Sequence, residues 1–84
     1  MNERELKLLV EAGAVKEITI TAQGNSFHIE ARTAGADKIL MTGRGNVRQW
    51  RSLDSCAKWL RKIGIGKAGL DFQSWQIGQG GMLL

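Results

Sequence analysis

Along this chain the spacing of apolar positions changes from helical to alternating and back, and each change marks an element. In the first dozen residues Leu6, Leu9 and Val10 fall on one helical face, and Asn2 followed by Glu5 has the spacing of a capping box. Gly13 is a natural stop, because a helix commonly ends in a left-handed residue that glycine adopts without strain. From residue 15 to 22 the period drops to two, with Ile18 and Ile20 alternating with Glu17, Thr19 and Thr21. Gly24-Asn25 predicts a tight hairpin turn into residues 26–32, where Phe27, Ile29 and Ala31 face inward and His28, Glu30 and Arg32 outward. Turns at residues 34–37 and 43–46 predict two further strands, over 38–42 and 47–51.

The helical period then returns. Ser52 is placed as an N-cap with Asp54 in the first turn, and Leu53, Cys56, Ala57, Leu60 and Ile63 form an apolar stripe opposite Lys58, Arg61 and Lys62. Gly64 ends that helix, and residues 70–77 predict a fifth strand. The order α-β-β-β-β-α-β predicts an α+β fold: an antiparallel β-meander of four to five strands with two helices packed on one face. It is one domain over residues 1–78, and residues 79–84, ending in Met82-Leu83-Leu84, form a flexible tail. With no proline and eleven glycines, the glycines do the punctuating.

Charge sharpens the picture. Residues 44–67 hold Arg44, Arg48, Arg51, Lys58, Arg61, Lys62 and Lys67 against Asp54 alone, a balance of 7 − 1 = +6. Residues 1–43 carry five basic and six acidic side chains, and residues 68–84 carry only Asp71, so the formal +4 comes from one hairpin-plus-helix unit. Such one-sided charge points to a polyanionic partner or an acidic protein surface. No apolar run approaches the roughly 20 residues of a membrane span, and the start of the chain lacks the pattern of a signal peptide. One cysteine excludes an internal disulfide and suits a reducing cytoplasm.

Specific chemistry is sparse. Gly64-Ile65-Gly66-Lys67-Ala68-Gly69 satisfies G-x-G-x-x-G, but a helix precedes it and a strand follows, so no helix N-terminus meets a pyrophosphate. It reads as a helix C-cap and turn. The same glycines echo the G-x-x-G loop of KH domains, which needs a helix on both sides. His28 alone builds no metal site and reads as a solvent-facing strand residue. Cys56 lies on the helical stripe as a core thiol. No catalytic residues, metal ligands or cofactor site are expected, and the chain reads as a non-enzyme. Trp50 reads as an anchor of the hairpin to the second helix. Trp59 is open to two readings, a half-buried boundary residue or a stacking platform, and Trp75 is equally undecided.

The run from Gly45 through Arg48, Trp50, Ser52, Leu53 and Asp54 to Ala57, continued by Leu60, Ile63 and Gly64, resembles a segment of small plasmid-borne proteins of the partition-associated ParC type. These are unrelated to the topoisomerase subunit that shares the name. Leu8-Leu9-Val10 and Ala12-Gly13-Ala14 at the start match them too. The resemblance implies an accessory role in the maintenance of a bacterial plasmid or phage, with no catalytic residues to carry over. Two functions follow from the charge. In one the protein associates with nucleic acid through Arg44, Arg48, Arg51, Lys58, Arg61, Lys62 and Lys67, with Trp59 stacking. In the other the same face docks on an acidic host protein surface; a homodimer is compatible with both.

Overall fold

The computed structural model describes residues 1–76. Two helices and four strands follow in the order α1 (Glu3–Glu11), β1 (Val15–Gly24), β2 (Ser26–Thr33), β3 (Asp37–Ile39), α2 (Leu53–Lys62) and β4 (Gly69–Trp75). The class is α+β and the sheet is mostly antiparallel, in the order β3-β2-β1-β4.

Local chemistry accounts for the ends of these elements. Asn2 and Glu5 form the reciprocal capping box at α1, each side chain accepting from the other's backbone N–H at 2.9 Å. Ser52 Oγ accepts from the Ser55 N–H at the start of α2, with Asp54 in the first turn and Arg61 and Lys62 in the last. The β1–β2 hairpin closes with Gln23 opposite Ser26, leaving a two-residue loop. Gly24 leads that loop at φ 64°, the left-handed entry that such a hairpin turn requires at its first position.

Pairing of Ala22 with Phe27, Ile20 with Ile29 and Ile18 with Ala31 puts six apolar side chains on one face of the central hairpin. All six are buried, in one cluster with Leu6 of α1, Leu40, and Cys56 and Leu60 of α2. Both helices therefore cover the same face of the sheet. On α2 the buried side runs through Cys56, Trp59, Leu60 and Ile63, while Leu53 and Ala57 stand exposed. The stripe is narrower than the sequence pattern suggests, and it includes Trp59.

Two strands differ from expectation. Residues 47–51 form no continuous strand. Beyond Leu40, whose N–H donates to the Ile29 carbonyl at 2.9 Å, the chain leaves β2, and the backbone of Trp50 takes the next place, exchanging two 2.8 Å hydrogen bonds with Phe27. Val47 meets Met41 in a second isolated bridge. With that strand missing, α2 carries the chain back along the sheet, and β4 enters beside β1 parallel to it rather than antiparallel. The polar face brings a further correction. His28 is buried, closed in by Thr21 opposite and by Glu30, whose Oε2 lies 3.1 Å from its Nε2. The expected tail, residues 79–84, lies outside the described residues. Among the described residues no helix is long and apolar enough to cross a membrane.

Candidate functional site

The cations that dominate residues 44–67 have unlike surroundings. Arg48 is taken into the structure. Its guanidinium carbon lies 4.9 Å from the ring centroid of Trp50 and 4.7 Å from that of Trp59. Its Nη1 donates to Glu3 Oε1 at 2.9 Å. The two indoles are themselves 5.2 Å apart and tilted by 50°. Trp50 is thus the expected anchor between the loop and α2, and Trp59 is a half-buried boundary residue whose ring is already covered by an arginine.

The same clasp sets the local electrostatics. The Arg48 guanidinium holds the Glu3 carboxyl below its ordinary value near 4.5, partial burial opposing it and Lys7, at 3.4 Å, assisting. Burial pushes the Cys56 thiol up to about 11, the nearby Arg48 charge opposing. A thiol so placed is a packing group and a poor nucleophile at neutral pH.

The remaining predicted cations are exposed. Lys58 pairs with Asp54 one turn back on α2, at 3.1 Å, with both side chains in solvent. Among the described residues no carboxylate lies within salt-bridge distance of Arg44, Arg51, Arg61, Lys62 or Lys67. Arg44 stands on the turn before residues 47–51, and Arg51 immediately precedes the cap of α2. Arg61 folds over the glycine loop that follows the helix: a Cβ on Gly66 would stand 3.7 Å from its Nη1. That loop is the C-cap and turn predicted from sequence, with Gly64 at φ 100° and β4 starting at Gly69.

One functional candidate escaped the sequence pattern. An open groove of about 710 Å³ runs between the end of α1, the start of β1 and the loop before β4. Val10, Val15, Ile18 and Ile65 are among its lining residues, and it brings Lys16 together with Lys67. Fifty-one positions separate these lysines in the chain. Both line this groove because β4 pairs with β1 in parallel, with Gly69 beside Thr19. Arg32 also lines the groove but is spent on Glu17.

Apolar side chains make a second feature. Leu53, Leu70, Phe72 and Trp75 are 39–52% exposed, and they line a smaller groove between the start of α2 and β4. Among the described residues no three metal-ligating side chains cluster.

The sequence of residues 1–77 matches the family model described as ParC-like, which covers all but the last seven residues. The chain belongs to that family, the plasmid-related one and not the topoisomerase subunit. Comparison with curated proteins and with solved structures gives no significant match.

Proposed function

We propose that this chain is a non-catalytic accessory protein of plasmid maintenance, acting in the cytoplasm, that holds nucleic acid by its phosphates. The contact surface is the end of α2, the glycine loop after it and the facing start of β1. The observation that carries this reading is the state of the cations. Arg61, Lys62 and Lys67 are exposed with, among the described residues, no carboxylate within salt-bridge distance, and Lys16 lines the same groove as Lys67. Arg48, a cation committed to structure, is clasped by a carboxylate; among the described residues these are not.

Phosphate contacts of this kind act through counterion release and carry little sequence preference of their own. Neutralising four phosphates gives a slope of log K against log salt near −0.9 × 4, or about −3.6. The test is fluorescence anisotropy of a labelled random-sequence duplex between about 50 and about 200 mM salt, across which affinity should fall by about two decades. A salt-insensitive affinity, or no binding at the low-salt end, overturns the reading.

A further inference from the structure

The apolar groove at the start of α2 stands apart from the cations of the proposed nucleic-acid surface. Leu53 from the first turn of α2 faces Leu70, Phe72 and Trp75 from β4, and all four are 39–52% exposed. Trp75 is held in place rather than loose, with its ring 6.0 Å from that of the core residue Phe27 and 6.4 Å from that of Phe72. The groove is about 290 Å³, at the lower edge of the roughly 300–1,000 Å³ of small-molecule pockets and suited to one or two inserted side chains. Arg51 lines it and, among the described residues, has no carboxylate within salt-bridge distance.

We propose that this groove receives an acidic-apolar segment of a partner protein, seating one or two large apolar side chains between Leu53, Phe72 and Trp75 with an adjacent carboxylate on Arg51. Three observations select this occupant. Half of the exposed apolar side chains are aliphatic leucines, which give a base no stacking platform, and a single arginine is too little charge to follow a phosphate backbone. An aromatic pocket rimmed by an arginine is the composition of a protein–protein hot spot. Recognition rests on side chains and not on strand addition, because β4 is irregular where a new strand would pair. Its register slips by one residue between Asp71 and Ser74, and Asp71 Oδ1 takes the Gln73 N–H at 3.1 Å.

The test is selection of a random dodecapeptide library on the immobilised full chain, followed by titration of the enriched synthetic peptides against single variants. The expected consensus pairs two large apolar residues with a neighbouring Asp or Glu. Phe72→Ser and Leu53→Ser, on different elements and both in exposed side chains, each weaken a selected peptide by about tenfold or more. Arg51→Gln weakens it about fivefold and removes the preference for Asp over Asn in the peptide. Peptides without an acidic position, or equal affinity for the folded Phe72→Ser and Leu53→Ser variants, overturn the proposal. So does displacement of the peptide by single-stranded oligothymidine, or a concentration-dependent dimer that Phe72→Ser abolishes, which would assign the groove to nucleic acid or to a second copy.

Discussion

Arg48 donates to Glu3 across 45 positions of chain, at 2.9 Å, while its guanidinium covers both Trp50 and Trp59. One side chain thus ties the first turn of α1, the loop before α2 and the middle of α2 to each other. None of these three segments belongs to the central hairpin, so the clasp holds the rim of the fold where the ladder ends. Arg48→Ala should cost about 1–2 kcal/mol, combining two partly desolvated cation–π contacts with a half-exposed ion pair. Arg44→Ala, on an exposed turn, should stay within about 0.5 kcal/mol. Urea unfolding of the two variants measures the difference, and equal midpoints would mean that the clasp stabilises nothing.

The Glu3 end of the clasp titrates. Its carboxyl is lowered by Arg48, so the ionised form is favoured in the folded state and contributes stability above its ordinary value near 4.5. That contribution fades as pH falls from there through the lower folded value. Thermal midpoints recorded from pH 6 down to about pH 3 should show a steeper acid loss for the natural chain than for Glu3→Gln. Parallel curves would remove Glu3 from the acid response.

Leu60 and Leu53 share the apolar stripe in the sequence but not in the fold. Leu60 is 3% exposed and Leu53 is 39% exposed. Leu60→Ala should therefore cost about 2–4 kcal/mol through the cavity it leaves, and Leu53→Ala under about 1 kcal/mol. Chemical denaturation of both variants checks the facing of α2 directly.

Cys56 offers a probe of the same helix. With its thiol raised to about 11 and fully enclosed, it should not react with a thiol reagent at pH 8 while the protein is folded. Reaction should follow at once on unfolding in guanidinium. Rapid labelling of the native protein would place the residue outside the core.

Most of the local structure is legible in the sequence. The capping box at Asn2, the cap at Ser52 and the alternation of Ile18, Ile20, Phe27, Ile29 and Ala31 are each governed by neighbours a few residues away. What could not be read is what depends on distant partners. Residues 47–51 alternate like a strand, yet only Trp50 finds strand-like pairing with β2, because β2 offers them just the length that β3 leaves free. The direction of β4 follows from that, since α2 and not a fourth antiparallel strand reverses the chain. The basic stretch behaved likewise. Its sum of charge was plain, but Arg48 belonged to Glu3 and two indoles, and Lys16 joined Lys67 only through the β1–β4 pairing. Strand parity alone points His28 to solvent and does not show that Thr21 and Glu30 close over it.

In the proposed role Lys16, Arg61, Lys62 and Lys67 hold nucleic acid, while Arg48 ties α1 to α2. Replacing those four by Glu changes the formal charge by −8, from +4 to −4, at exposed positions outside the core. Anisotropy titration of a labelled duplex at about 100 mM salt, beside circular dichroism of the same samples, is the most direct test. The quadruple variant should keep its fold and lose binding, whereas Arg48→Ala should be destabilised but, while folded, bind with unchanged salt slope. A folded quadruple variant that still binds the duplex with the natural affinity would contradict that role.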